Sequence, residues 1–270
     1  MSDQVLLSAG RHNIEQCVAL ASERGLGIEV MAFAFPDVLD GDWKTLLKHY
    51  KQLLAPVPGK ITMHGPFLDM VSGSPDDRIN DVCRHRYLHA LDIAAELGSK
   101  IVVLHANFIG SLHNVPYRNG WHLRNIDFWR PIAESAAEID VTIVLENMWE
   151  FDPGIIGDLL AAVNHPNLRA CIDVGHAHLF SDSLFTLLDW FNVMEPWLLH
   201  THMNNNNGKI DEHHSFDFER GVINYPEVLR MYRGLPSQPP IVLEMDTVED
   251  MRASLHHLNV GESAHTPVNR

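Results

Sequence analysis

Short apolar runs alternate with amphipathic stretches along nearly the whole chain. Val5–Ala9, Gly27–Phe33, Lys60–His64, Lys100–His105, Val141–Glu146, Ala170–Asp173, Trp197–Met203 and Pro240–Glu244 are almost continuously apolar and rich in β-branched side chains. Runs of that length and composition read as strands buried on both faces. Between them, Asn13–Arg24, Asp42–Leu54, Pro75–Leu97, Asn125–Ile139, Pro153–Val163, Ser183–Phe191, Tyr225–Arg233 and Thr247–Leu258 carry helical periodicity. Gly25 and Gly98 stand just past two of these helices, where a left-handed cap is expected. Eight strands, each followed by a helix, predict a parallel sheet closed into a single (β/α)8 barrel. No linker divides the chain, so residues 1–270 read as one domain, with a polar tail over about 259–270.

Composition narrows the classes. The three cysteines (Cys17, Cys83 and Cys171) are odd in number and form no CxxC pair, which fits a reducing cytosol better than a disulfide framework. No basic leader and no membrane-length apolar run is visible, so the expectation is a soluble cytoplasmic protein. A net charge of −15 disfavours a duplex nucleic-acid partner, because such proteins neutralise phosphates with Lys and Arg.

The informative polar residues fall at the strand ends. His64, His105, Glu146, Asp173, His202 and Glu244 close six consecutive strands, and chemistry in such barrels sits at that rim. A buried carboxylate without a partner is costly, so the acids that end apolar strands require cations nearby. His176 follows Asp173 by three residues. After the seventh strand, the loop Met203–His213 supplies Asp211 and His213, whose Asp-x-His spacing in extended chain places both on one side. Imidazole and carboxylate together suit divalent ions, so the expectation is a metal site at the C-terminal rim. Lys209, in the same loop, is a candidate for a substrate oxygen or phosphate. Phe108–Trp121 reads as a loop over the rim, with Arg118 able to close on a substrate, and Trp149 as an apolar wall.

These residues resemble the xylose isomerase-like barrels. The likeness runs from Ile28 to Glu244 and is sharpest at Met63-His-Gly-Pro-Phe67, Val103-Leu-His105, Leu145-Glu-Asn147, Asp173-Val-Gly-His176 and His202-Met-Asn through Gly208-Lys-Ile-Asp-Glu-His213. The resemblance implies a divalent-metal-dependent sugar or sugar-phosphate isomerase or epimerase that moves a proton next to a carbonyl. In that reading Glu146, Asp173, His202 and Glu244 hold one ion (Mn, Co, Mg or Zn), Glu146 and Glu244 are the acid/base pair, and His176 contacts a substrate hydroxyl. The same family includes endonuclease IV. Its pattern adds His64, His105, His176, Asp211 and His213, and implies two or three zinc ions in a phosphodiester hydrolase. The Asn205-Asn-Asn207 run and the Phe216–Arg220 segment look more like the sugar branch. A third reading is a non-catalytic barrel that binds a metal or sugar. Barrels of this family often associate, so a homo-oligomer is also implied.

Overall fold

The computed structural model describes residues 3–260. The expected polar tail therefore lies outside the described residues apart from its first two. Eight parallel strands close in sequence order, β1 (Val5–Ala9), β2 (Gly27–Val30), β3 (Ile61–His64), β4 (Ile101–His105), β5 (Thr142–Glu146), β6 (Leu168–Asp173), β7 (Leu198–Met203) and β8 (Ile241–Leu243), with β1 paired to β8. The helices are α1 (Ile14–Arg24), α2 (Pro36–Leu39), α3 (Trp43–Leu54), α4 (Asp77–Leu97), α5 (Val115–Glu138), α6 (Gly154–Val163), α7 (Val174–Phe180), α8 (Leu187–Met194), α9 (Tyr225–Arg233) and α10 (Val248–Ser254).

The period-two geometry of a strand separates two sets of side chains. Leu7, Ile28, Met63, Val102, Leu104, Ile143, Leu145, Ile172 and Leu243 join the core shared with the helices, where Trp129, Tyr87 and Phe191 are fully buried. The alternate positions fill the barrel, and Ile101, Val103, Val144 and Cys171 form a small apolar plug there. Two residues beyond Val103, Val144 and Cys171 come His105, Glu146 and Asp173. Alternation therefore lifts the chemistry onto the same inward face, one layer above the plug.

Several elements depart from the pattern expected from the sequence: the second strand ends at Val30 rather than Phe33, a 3-10 turn follows over Ala32–Ala34, and the short helix α2 was not expected. The loop expected over Phe108–Trp121 ends early, because Asn114 caps α5 by accepting from the Tyr117 N–H at 2.9 Å. Phe108 then packs against Tyr117 and Trp121, with ring centroids at 5.1 and 5.3 Å, which pulls the second half of the segment into the helix. The short helix α7 was not expected; it starts directly from Asp173, whose Oδ1 accepts the His176 N–H at 2.6 Å. Helix α8 begins later than expected, at a capping box between Thr186 and Asp189. Glu244 stands one residue past β8. Among the described residues no helix is long and apolar enough to cross a membrane.

Candidate metal centre

The expected rim residues converge. Register pairs His105 with Glu146 across β4 and β5, and Asp173 with His202 across β6 and β7. Glu146 is central: its Oε2 lies 3.2 Å from His105 Nε2 and 3.4 Å from His64 Nε2, and its Oε1 lies 3.1 Å from His202 Nδ1 and 3.5 Å from His176 Nδ1. Glu244 Oε2 stands 3.1 Å from the same His202 Nδ1. Asp211 bridges His176 Nε2 at 3.3 Å and His213 Nε2 at 3.2 Å.

The loop after β7 reaches the rim because its asparagines pin it. Asn205 and His214 exchange two backbone hydrogen bonds at 3.0 and 2.9 Å, and the Asn205 amide donates to Phe216 O at 3.0 Å. Asn207 Oδ1 accepts from the backbone of Lys209 and Ile210, forming the turn that brings Asp211 and His213 back over the barrel. A run that reads as a polar loop is thus a clamp.

Five groups of ligand atoms result among the described residues, each with its members within 4.8 Å of one another; Glu29–His200–His202 and Glu146–Cys171–His202 reach below the rim, and three consist of the expected rim residues alone: Glu146–Asp173–His202–Glu244, His64–His105–Glu146 and His176–Asp211–His213. Glu146 belongs to two of these three rim groups. The rings are also oriented for ligation. His64 Nδ1 faces Gly65 O at 2.8 Å, His176 Nδ1 faces Asn147 O at 3.0 Å and His213 Nδ1 faces Glu244 O at 3.1 Å. A tautomer that donates outward to those carbonyls leaves the Nε2 lone pair aimed at the cluster. Glu146 Oε2, His176 Nε2, His202 Nδ1 and Glu244 Oε2 are buried with no hydrogen-bond partner. Orphaned ligand atoms of these types, distributed over the three rim groups, fit divalent cations.

The electrostatics agree. Among the described residues the ion-pair partners of Glu146, Asp173 and Glu244 are all histidines. Burial raises the Asp173 carboxyl to about 6, with Glu146 and Glu244 adding repulsion. Burial also works to raise Glu146, but the surrounding His202 and His105 hold it well below the ordinary range. Burial would depress His213, yet Asp211 and Glu244 bring it up to about 9. His105 is depressed by its burial.

A cavity of about 580 Å³ opens over this wall. Met31, Phe35, Phe67, Met148 and Met245 give it apolar sides, while Ser8, Arg11, His12 and Asn13 line the β1 side. His64, His105, Glu146, His176, Asp211, His213 and Glu244 face it, with Asp173 and His202 behind them. Lys209, Arg118 and Trp149 do not line it. Arg118, on α5, is held by Asp152 and by Asp158 at 3.7 Å, beside α6, and Lys209 is exposed on the outer turn of its loop. The residues of the β1 side, and Glu29 and His200 beneath the rim, carried no motif. The one legible signal was an acid inside the apolar strand Gly27-Ile-Glu-Val30.

The family model of the xylose isomerase-like TIM barrel matches residues 18–260. An uncharacterised protein of Methanocaldococcus jannaschii is 26% identical over 211 residues, covering 76% of this chain and 70% of its own. A protein of Thermus thermophilus, soaked with ZnCl2, superposes with a TM-score of 0.78 at 27% identity, over 94% of this chain and 96% of its own. A D-tagatose 3-epimerase-like protein superposes with a TM-score of 0.77 at 22% identity, over 94% and 95%. This last likeness is one of fold.

Proposed function

Since the chain belongs to the xylose isomerase-like TIM-barrel family, we propose that it is a divalent-metal-dependent isomerase or epimerase of a sugar or sugar phosphate. The observation that carries this reading is the pair Glu146 and Glu244. They arrive from β5 and from the end of β8, and each places an oxygen 3.1 Å from His202 Nδ1 beneath the cavity. Glu146, Asp173, His202 and Glu244 would hold the ion. A bound divalent ion supplies Lewis-acid stabilisation of substrate oxygens as negative charge develops beside the carbonyl.

The side chains do the rest. One glutamate removes the proton from the carbon next to the carbonyl, and the other returns it, from the opposite face in an epimerisation. Such work needs acids held out of bulk water, and both lie in a wall flanked by Phe67, Met148 and Met245. His12, Asn13 and Ser8 offer hydrogen bonds to hydroxyls at the far end of a monosaccharide-sized cavity. His176, whose Nε2 faces the cavity group, contacts the substrate or a second ion. The partner is a small molecule, and duplex nucleic acid is disfavoured by the net charge of −15.

The test is solvent-deuterium incorporation into a panel of ketoses, aldoses and their phosphates, followed by mass spectrometry. Glu244→Gln is expected to lower turnover by about 10³-fold, through loss of both ligand charge and base. Full activity in that variant overturns the reading.

A second reading has its own observation: three donor groups, nine side chains in all, two of them sharing Glu146. That constellation also suits a multinuclear zinc phosphodiester hydrolase. Metal content decides between them. One exchangeable ion per chain supports the isomerase, whereas two or three tightly held zinc ions with cleavage of an abasic-site duplex support the hydrolase.

A further inference from the structure

Beneath the rim lies a carboxylate that none of the proposed chemistry uses. Glu29, in the middle of β2, is fully buried, and no Lys or Arg pairs with it among the described residues. Its Oε2 accepts from Thr62 Oγ1 at 2.8 Å, across the β2–β3 register, and meets His200 Nε2 at 2.8 Å. Its Oε1 lies 2.8 Å from His202 Nε2. The two atoms are at contact distance without hydrogen-bond alignment, and neither Glu29 Oε1 nor His202 Nε2 has another partner among the described residues.

A buried anion at such a place is costly unless it is paired. The His200 contact at 2.8 Å is a charge-assisted hydrogen bond, and His202 Nε2 stands at the same distance from Oε1, where a small rotation of the carboxylate aligns the pair. If His202 carries its proton on Nε2, toward Glu29, its Nδ1 lone pair points at Glu146 and Glu244, 3.1 Å away on both sides. The arrangement is peculiar to His202. The Nδ1 atoms of His64, His176 and His213 have a backbone carbonyl as nearest partner, at 2.8, 3.0 and 3.1 Å, with carboxylates no nearer than 3.5 Å, and His105 Nδ1 meets nothing among the described residues. A carboxylate behind an imidazole fixes its tautomer and makes the inward nitrogen a stronger donor than a carbonyl does.

We propose that Glu29 is a positioning residue. It locks His202 in the tautomer that presents Nδ1 to the Glu146–Asp173–Glu244 group, and it sets the affinity of that group for a divalent cation. The second oxygen of Glu29 meets His200 Nε2 and accepts from Thr62 Oγ1, and it takes no part in the contact with His202. The assignment rests on the metal reading given above, but not on whether the enzyme isomerises or hydrolyses.

The experiment is chelator-competition titration of Zn²⁺ or Mn²⁺ into the full chain, comparing wild type, Glu29→Gln and Thr62→Val. It is paired with long-range ¹H–¹⁵N spectra of histidine-labelled wild-type protein. Glu29→Gln is expected to bind the ion about 10- to 100-fold more weakly. Thr62→Val, which removes a donor to the same carboxylate but leaves the His202 contact, is expected to stay within about 3-fold. The spectra are expected to show His202 protonated at Nε2 and ligating through Nδ1. Wild-type affinity in Glu29→Gln, or ligation through Nε2, overturns the assignment while leaving the metal reading intact. Should Glu29→Gln fail to fold, the wild-type spectra alone decide. A wild type that binds no divalent ion overturns both.

Discussion

Replacing Asp173 by Asn separates stability from function at this rim. Asp173 is fully buried and its carboxyl is raised from 3.8 to about 6, by burial first and then by Glu146 and Glu244. A group whose folded pKa lies above its unfolded one stabilises the fold at low pH, and that stability is lost as pH rises through the folded value. Here the loss begins near 3.8 and is complete above about 6. At about 1.4 kcal/mol per pH unit, the metal-free protein at pH 8 carries a penalty of about 3 kcal/mol at this site. Asn removes the charge and keeps Oδ1 as the acceptor for the His176 N–H that starts α7. It also turns an amide toward Asn204 Nδ2, which now donates to Oδ2 at 2.9 Å. Asn204 Oδ1 has no partner among the described residues, so rotation of that amide restores a hydrogen bond. The net gain is about 2–3 kcal/mol, or roughly 5 °C in Tm for a chain of this length. With metal the gap closes. Wild type at about 1,000 times its Kd gains about 4 kcal/mol, whereas a variant bound about 100-fold more weakly gains about 1.4 kcal/mol. Scanning calorimetry of both proteins at pH 5 and pH 8, in EDTA and in excess Mn²⁺ or Zn²⁺, reads all of this. The reasoning is refuted if Asp173→Asn is the less stable protein in EDTA at pH 8, or if metal stabilises the two equally.

Other expectations are simpler to check. Cys17, Cys83 and Cys171 are free and buried, and burial takes the Cys17 thiol to about 12. At pH 8 its thiolate is about 10³-fold scarcer than that of an ordinary cysteine, so a disulfide reagent should leave the native protein nearly untouched and label all three thiols in guanidinium. Gly175 has no room for a side chain: a Cβ would lie 2.0 Å from Asn204 Oδ1, the residue that donates to Asp173. Gly175→Ala is expected to cost about 1–3 kcal/mol and to weaken metal binding by about 10-fold. Calorimetry and chelator competition would show otherwise if it behaves as wild type.

Much of this was legible because barrel strands write their position into composition. An apolar run ending in Glu146 or Asp173 announces both a buried strand and an acid that needs a cation, and the period of two guarantees that such ends share one face. Asp211 and His213 were legible as ligand types, although only the Asn205–His214 pairing shows how they reach the rim. The helical half of the Phe108–Trp121 segment was not legible. Its start depends on a local cap at Asn114, and its stability depends on Phe108 meeting Trp121 and Phe151, a contact partly set by another loop.

The sequence by itself determined the alternation of elements, the closed parallel sheet and which acids and histidines end the strands, since each follows from local pattern and short spacing. Tertiary structure alone decided that Glu146 stands between two donor groups, that Arg118 and Lys209 lie away from the cavity, and that Glu29 backs His202 from 173 positions earlier. Those facts depend on distances across the barrel, and closing a ring of eight strands brings together side chains whose separation along the chain carries no trace of their contact.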